Sequence, residues 1–337
     1  MAIKFTNKHN LPQEFVDAIT LDNHVVNGDI SVTTLIDAPQ VRLLRKTTDY
    51  EVDVTDQMAM FFGTAIHERL ETAHQASYDA RTLWKASAVL SKLGEEKGAK
   101  RLNEIVETSL KEKISDDVLT EQTLTIESNG WVVSGTVDRY IKSEKRLRDY
   151  KTITASALAF PEQKTSWKLQ QNIYAAMLRA IGYEVEHIEI VAIVKDWSKM
   201  KLKSSKDYPQ APVVIIPLEV GENDKVLKYI DQRVLIHQRA EQGESIPCTK
   251  LDRWAKADTY AVKKKGGKNA LRTFPAQKMA EAFVTENQFK YPPAQALYIE
   301  FRPAESFRCK NYCSMSSVCP QYKAELEATA EISEEQF

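Results

Sequence analysis

Apolar residues in the first third of the chain recur every three or four positions, as they do along one face of a helix. They predict helices at residues 61–74, 82–93 and 97–113. The period then shortens to two, which predicts strands at residues 120–127, 131–141 and 146–154. Asn129-Gly130, between the first two strands, is typical of a tight hairpin turn.

The rest of the chain alternates between the same two periods. A helix is predicted at residues 166–181 and is followed by Gly182, in the position typical of a C-terminal cap. Further strands are predicted at 188–195, 213–220 and 297–301, and further helices at 223–242 and 275–287. This order predicts an α/β or α+β fold with a mixed central β-sheet flanked by helices.

Four segments are expected along the chain. Residues 1–30 form an N-terminal extension, which is polar and predicted to be loosely held, and residues 31–245 form the core. Residues 246–323 form a module that contains the cysteines and packs on the core. Residues 324–337 form an acidic tail, which is predicted to be disordered.

The composition favours a soluble globular protein, because 43% of the 337 residues are hydrophobic and 28% are charged. No apolar run in the sequence is long enough to span a bilayer. The first fifteen residues have no apolar central region of the kind found in secretory leaders. We therefore expect a cytoplasmic protein with no membrane partner.

The net charge of −1 does not favour nucleic acid as a partner, but the charges are unevenly distributed. Five glutamates lie in residues 324–337, and without them the chain would carry +4. Two segments are rich in lysine, and such clusters can follow a phosphate backbone. The alternative is that both segments are solvated loops. The candidates for DNA binding are Lys199, Lys201, Lys203, Lys263, Lys264 and Lys265.

Two neighbouring predicted strands each contain an aspartate. Asp138 ends the run Gly135-Thr-Val-Asp, and Asp149 begins the run Asp-Tyr-Lys. Residues two apart on a strand share a face, so Asp149 and Lys151 point the same way. If the hairpin places Asp138 beside them, two carboxylates can hold Mg²⁺ or Mn²⁺ while the ammonium stabilises negative charge on a phosphate. The alternative is a solvated pair at the edge of a sheet.

Two predicted helices offer polar residues to the same site. His67 and Glu71 share one helical face, where Glu71 could accept a hydrogen bond from an imidazole that binds a metal. Gln170 and Tyr174 have the same spacing on the helix that follows Asp-Tyr-Lys. For each of these residues the alternative is ordinary packing.

Four cysteines lie in the last third of the chain, where a reducing cytoplasm disfavours disulfides. Cys309, Cys313 and Cys319 lie within eleven residues, and Cys248 is more distant. Four thiolates suit either zinc or a [4Fe–4S] cluster. The paired Cys-x-x-Cys spacing typical of structural zinc does not occur.

Together the motifs resemble the PD-(D/E)XK nuclease superfamily, specifically its RecB-like branch, which includes phage-encoded exonucleases and CRISPR-associated adaptation nucleases. The resemblance covers about half of the chain, from Ser31 to Tyr174, and the cysteines extend it to Cys319. Its motifs in order are Gly-x-x-x-His at 63–67, Gly-x-x-Asp at 135–138, Asp-x-Lys at 149–151 and Gln-x-x-x-Tyr at 170–174.

The resemblance implies a restriction-endonuclease-like nuclease core with an assigned role for each motif. It makes Asp138, Asp149 and His67 ligands of Mg²⁺ or Mn²⁺, together with the carbonyl oxygen of Tyr150. It makes Lys151 the catalytic cation, and the glutamine–tyrosine motif supports the site and positions DNA.

The resemblance also bears on the cysteines. Relatives with this C-terminal triad carry a [4Fe–4S] cluster, which favours iron and sulfur over zinc. In those relatives the first cysteine precedes the nuclease motifs, where this chain has Ala38-Pro39. Cys248 would have to replace it from a downstream position.

The expected activity is that of a metal-dependent DNA exonuclease that acts on single strands or DNA ends in phage or mobile-element DNA processing. One alternative is a DNA-binding partner in recombination or spacer capture that keeps the fold but cleaves little. Another is an RNA-directed nuclease. A protein partner in recombination or CRISPR-type adaptation would fit this role. A helicase is not expected, because the sequence contains no Gly-x-x-x-x-Gly-Lys-Ser/Thr phosphate loop.

Overall fold

The computed structural model describes residues 3–21, 27–74, 90–91, 93–113, 117–159, 161–204 and 207–334. Its helices are α1 (Gln13–Thr20), α2 (Val32–Ile36), α3 (Pro39–Thr47), α4 (Met58–His74), α5 (Glu96–Lys113), α6 (Pro161–Ala180), α7 (Lys199–Ser204), α8 (Asn223–Glu241), α9 (Gln277–Asn287), α10 (Phe307–Asn311) and α11 (Pro320–Glu334). Its strands are β1 (Ile3–Thr6), β2 (Ile30–Ser31), β3 (Tyr50–Asp53), β4 (Val118–Ser128), β5 (Trp131–Ile141), β6 (Arg146–Ile153), β7 (His187–Val194), β8 (Val213–Leu218), β9 (Ala255–Lys256), β10 (Thr259–Lys264), β11 (Ala270–Phe274), β12 (Leu297–Arg302) and β13 (Glu305–Ser306).

Six of these strands form a mixed central sheet, which confirms the predicted fold class. The order is β2-β5-β6-β7-β8, and β4 also pairs with β5. The pairs β2–β5 and β6–β7 are parallel, and the others are antiparallel. The parallel step from β6 to β7 is made through α6, because parallel neighbours need a long crossover connection.

The hairpin of β4 and β5 forms at the predicted turn. Asn129 has φ +47° and Gly130 has φ +76°, and two consecutive residues with positive φ give the turn that matches the twist of a two-residue hairpin. Ser128 pairs with Trp131, and this pairing sets the register of both strands.

Helix α6 covers one face of the sheet. Its residues Ile173, Met177 and Leu178 are fully buried in a core that also contains Val137 of β5 and Ile230 of α8. This apolar face explains why the sequence predicts the helix, and Gly182 ends it with φ +94°.

The chain divides into two compact units. The sheet unit comprises the described parts of residues 5–36 and 52–238. The cysteine unit comprises the described parts of residues 1–4, 37–51 and 239–337. The predicted domain boundaries stay predictions.

The cysteine unit contains a three-stranded sheet in the order β11-β10-β12. Val262 of β10, Phe274 of β11 and Ala280 of α9 form its small core. Only β12 and α9 were expected from the sequence. The β10–β11 hairpin is an addition, and Gly266 in its turn has φ +76°.

The N-terminal segment was predicted to be loosely held and the acidic tail to be disordered, and both predictions are wrong. The N-terminal segment contains α1 and β1, and β1 pairs with β3. The acidic tail is helical as far as Glu334, because its start is held by Glu325, which accepts hydrogen bonds from the backbone and hydroxyl of Ser306. The predicted helix at 82–93 lies mostly outside the described residues.

Within the described ranges, no helix combines the length and the apolar character that crossing a membrane requires.

Candidate active site

Three carboxylates stand in one row across the sheet unit. Thr120 pairs with Arg139 and Gln122 pairs with Val137, which leaves Glu121 level with Asp138. Arg139 also pairs with Arg148, and the same register brings Asp138 level with Asp149. The members of this carboxylate row are Glu121 on β4, Asp138 on β5 and Asp149 on β6.

Asp149 and Lys151 lie on the same face of β6, as their spacing predicts. The Lys151 Nζ lies 2.8 Å from Asp149 Oδ2, and Asp149 is only 2% exposed. Burial disfavours the charged amine, but the neighbouring Asp149 carboxylate outweighs it and raises the pKa of Lys151. Lys151 is therefore a fixed cation and is unsuited to act as a general base.

Asp138 is buried in an arrangement that disfavours its negative charge. Its Oδ2 accepts a hydrogen bond of 2.7 Å from the backbone N–H of Tyr150. Burial and the charge of Asp149 nevertheless raise the pKa of the Asp138 carboxyl to about 6. A divalent cation beside the two carboxylates would reverse this effect, since an opposite charge favours the ionised form.

Helix α4 brings His67 to the same row. His67 Nε2 lies 2.9 Å from the carbonyl oxygen of Tyr150, and His67 Nδ1 lies 3.6 Å from Asp138 Oδ2. The ring is thus held between a backbone acceptor and a carboxylate. Glu71 is the predicted hydrogen-bond acceptor of His67, but its side chain lies outside the described residues and its role stays a prediction.

Gln170 and Tyr174 of α6 are joined by a buried hydrogen bond of 3.1 Å from Gln170 Nε2 to the Tyr174 hydroxyl. Burial raises the pKa of Tyr174, so this hydroxyl stays protonated. Both residues line the same cleft as the carboxylate row. The structure therefore places Gln170 and Tyr174 in the same cleft as Asp138 and Asp149.

The cleft has a volume of about 530 Å³, and its lining includes the carboxylate row together with His67, Tyr150, Lys151, Gln170 and Tyr174. Gly63 of α4 also lines it. A β-carbon at position 63 would meet no atom within 4 Å. The missing side chain therefore leaves space in the cleft.

Sequence reasoning missed Glu121, although the hairpin could have revealed it. Glu121 lies eight residues before Asn129, and Asp138 lies eight residues after Gly130. Counting outward from the turn therefore pairs the two acids. One ligand atom each from His67, Glu121 and Asp138 lies within 4.8 Å of the other two, whereas Asp149 is outside this group. These three residues could hold a metal ion.

The four cysteines converge within the cysteine unit. Cys248, Cys309, Cys313 and Cys319 line one small cavity, and none of them forms a disulfide. Burial raises the pKa of Cys248 to about 12 and that of Cys309 to about 11. Both thiols are therefore protonated at neutral pH unless a metal displaces the protons.

The predicted DNA-binding lysines have different environments. Lys263 Nζ lies 2.8 Å from Glu300, and Lys264 Nζ lies 4.4 Å from the centre of the Tyr291 ring. Both lie on β10 rather than in a loop, and Lys265 follows in the turn. In the other segment, the lysines lie on the short helix α7: Lys199, Lys201 and Lys203.

Comparisons with known proteins found one matching family model and similarities to solved structures. Residues 41–320 match the model of the PD-(D/E)XK nuclease superfamily. The crystal structure of a protein called SSO0001 is 13% identical to this chain, with a TM-score of 0.38 over 91% of this chain and 94% of that one. A candidate exonuclease from Eubacterium rectale is 15% identical, with a TM-score of 0.29 over 53% of this chain and 69% of that one. The search of curated proteins found no match.

The family match spans most of the chain and includes every residue of the carboxylate row. Members of this superfamily cleave phosphodiester bonds in nucleic acid. The RecB-like branch and the cysteine cluster stay predictions. The chain belongs to the PD-(D/E)XK nuclease superfamily.

Proposed function

We propose that this chain is a Mg²⁺- or Mn²⁺-dependent deoxyribonuclease, an exonuclease that acts on single-stranded DNA or DNA ends in phage or mobile-element DNA processing. The observation that carries the proposal is the placement of Asp138, Asp149 and Lys151 in one cleft with His67. Two acids and an imidazole can hold a divalent cation for metal-assisted hydrolysis of a phosphodiester, and an ammonium can stabilise the charge that develops.

The proposed ligands of the ion are His67, Asp138, Asp149 and the carbonyl oxygen of Tyr150. Oxygen ligands predominate in this set, and hard cations such as Mg²⁺ and Mn²⁺ prefer them. The bound ion would polarise the scissile phosphate and lower the pKa of a water molecule. Burial and then the charge of Asp149 raise the pKa of Asp138, and a bound cation would offset both effects by favouring the ionised carboxylate.

Lys151 has a separate role in the proposal. Its ammonium is held on Asp149 at 2.8 Å, where it can stabilise negative charge on the phosphate without giving up its proton. Gln170 fixes the Tyr174 hydroxyl through their hydrogen bond. The polar groups of Gln170 and Tyr174 would thereby be fixed on α6, where they could position a DNA strand.

We assign a [4Fe–4S] cluster to the four cysteines. A tetrahedral zinc site with Zn–S bonds near 2.3 Å would hold its sulfur atoms about 3.8 Å apart. Among the described residues, no three cysteine sulfurs lie within 4.8 Å of one another. The wider spacing around one cavity suits the larger iron–sulfur cluster better than a single zinc ion, which is the alternative.

The lysine segments are proposed contacts for the DNA backbone. Lys199, Lys201 and Lys203 are concentrated within one short helix, and such a cluster favours a phosphate chain. The segment with Lys263 is a weaker candidate, because Glu300 already neutralises that charge.

The experiment that tests the function offers the purified protein labelled single-stranded and double-stranded DNA, in linear and circular form, and matched RNA. We expect Mg²⁺ or Mn²⁺ to support the shortening of linear DNA from an end, and EDTA to prevent it. Cleavage of circular DNA would identify an endonuclease, and preferential cleavage of RNA an RNA-directed nuclease. Tight DNA binding without cleavage would favour a binding partner in recombination.

A further inference from the structure

Two glutamine side chains line the cavity that contains the four cysteines. Gln40 lies in the first turn of α3, and Gln321 lies in the first turn of α11. Both glutamines and all four cysteines belong to the cysteine unit. Neither amide is needed as a ligand when four thiolates bind a cluster, so the two glutamines have another role in this cavity.

Both amides hold the backbone of Cys248. The backbone N–H of Cys248 donates to Gln40 Oε1 at 3.1 Å and to Gln321 Oε1 at 2.9 Å. Gln321 Nε2 also donates to the carbonyl oxygen of Cys248 at 2.9 Å. Cys248 is distant from the other three cysteines in the sequence, and these hydrogen bonds fix it beside them.

Gln40 also contacts a sulfur atom. Its Nε2 donates a hydrogen bond of 3.7 Å to Cys319 Sγ, and Cys319 is only 7% exposed. Because Gln40 Oε1 accepts from the backbone of Cys248, the Nε2 end of the amide is directed at the sulfur. Gln321 makes no hydrogen bond to a cysteine sulfur within the described ranges.

A hydrogen bond to a cysteine sulfur affects how readily a cluster accepts an electron. Four thiolates give the cluster a net negative charge, and reduction adds one electron without making or breaking a bond. An N–H group directed at a sulfur stabilises the more negative, reduced form and so raises the reduction potential. Burial strengthens this effect, because a low local dielectric makes the interaction stronger than it is in water.

We propose that Gln40 is a positioning residue of the cysteine site, which fixes Cys248 and raises the reduction potential of the [4Fe–4S] cluster through its hydrogen bond to Cys319 Sγ. The inference rests on the cluster assigned to the cysteines under the proposed function. It is independent of the nuclease site, because neither Gln40 nor the cysteines line the cleft.

The test measures the reduction potential of the cluster in the whole protein. Dithionite supplies the electrons, and the electron paramagnetic resonance signal of the reduced cluster is followed. The variant is Gln40→Leu. The matched control is Gln321→Leu, which removes two hydrogen bonds from Cys248 and places the same apolar side chain in the same cavity. Iron analysis and melting curves check that each variant holds its cluster and is folded.

A second measurement uses the wild type alone. The protein is produced with glutamine whose side-chain nitrogen carries a magnetic isotope label, and the cluster is reduced. Pulsed electron paramagnetic resonance then detects coupling between the cluster and a labelled nitrogen that donates to one of its sulfur ligands.

We expect a shift to a more negative potential in Gln40→Leu and the wild-type potential in Gln321→Leu. No shift in Gln40→Leu, or equal shifts in both variants, would overturn the proposal. If Gln40→Leu assembles no cluster, the nitrogen coupling in the wild type decides: its presence supports the hydrogen bond to sulfur, and its absence overturns it. A wild type without iron would overturn the cluster and this inference together, whereas DNA cleavage by the same sample would leave the nuclease function intact.

Discussion

The ring of Tyr174 packs directly against the backbone of Gly135. A β-carbon at position 135 would overlap Tyr174 Cε1 and approach the Cγ2 of Val32 to 2.9 Å. The glycine of the Gly-x-x-Asp motif is therefore required by the tyrosine of the helix motif. Two motifs that are 39 residues apart in the sequence are parts of one packing arrangement.

The first prediction follows from this contact. Gly135→Ala should lower the free energy of unfolding by about 1–3 kcal/mol, because overpacking forces neighbouring groups to shift. The measurement is urea unfolding of the metal-free protein. In a Tyr174→Ala background the same substitution should cost clearly less, and an equal cost in both backgrounds would show that the contact is not responsible.

The second prediction concerns Asp138 and pH. The pKa of this carboxyl is raised from 3.8 to about 6, so its ionisation destabilises the metal-free fold above pH 6 and has no effect below about pH 4. The shift corresponds to roughly 3 kcal/mol. Asp138→Asn should therefore stabilise the metal-free protein at pH 8 by about 2–3 kcal/mol, and the gain should vanish at pH 4.

Asp53→Asn is the control with the opposite sign. Hydrogen bonds from Thr55 and Lys8 lower the pKa of the Asp53 carboxyl. Its ionised form is therefore favoured by the fold, and the substitution should destabilise the protein at pH 8. If both variants changed stability in the same direction at pH 8, the assigned electrostatics of Asp138 would be wrong.

The third prediction uses the open space at Gly63. Gly63→Ala should stabilise α4 by about 0.5–1 kcal/mol, because glycine is unfavourable within a helix and the added methyl group meets nothing. Gly63→Phe should keep the fold but fill part of the cleft, and KM for DNA should rise. Steady-state kinetics with both variants check this, and an unchanged KM for Gly63→Phe would exclude Gly63 from the substrate path.

The fourth prediction concerns Cys248, which would replace the upstream cysteine of the relatives that carry a cluster. Protein purified without oxygen should be brown and contain about four iron atoms per chain. Cys248→Ser should lose most of this iron, since Cys248 lines the same cavity as the other three. Metal analysis decides the matter: zinc in place of iron, or full iron content in Cys248→Ser, would contradict the assignment.

The central hairpin, and the position of Asp138 and Asp149 in one cleft, could be predicted from the sequence because the signals are local. Asn129-Gly130 defines the turn, and alternation along β4 and β5 defines their faces. Glu121 was missed because the register was not extended outward from the turn. Its contribution depends on a pairing across strands, which a search for short motifs does not examine.

Other differences have distinct physical causes. The β10–β11 hairpin was missed because the charge of Lys263, Lys264 and Lys265 dominates the segment, although the following Gly266-Gly267 suits a turn. The acidic tail was predicted to be disordered from its charge. Its Ala and Glu residues are strong helix formers, and the contact of Glu325 with Ser306 anchors the helix.

The fifth prediction tests the central claim, that the acids of neighbouring strands and Lys151 form one cleavage site. The measurement compares the rate at which wild type and Asp149→Asn degrade an end-labelled single strand in Mn²⁺, with melting curves to confirm folding. We predict a loss of at least about 100-fold in the folded variant. Degradation at the wild-type rate by folded Asp149→Asn would contradict the account.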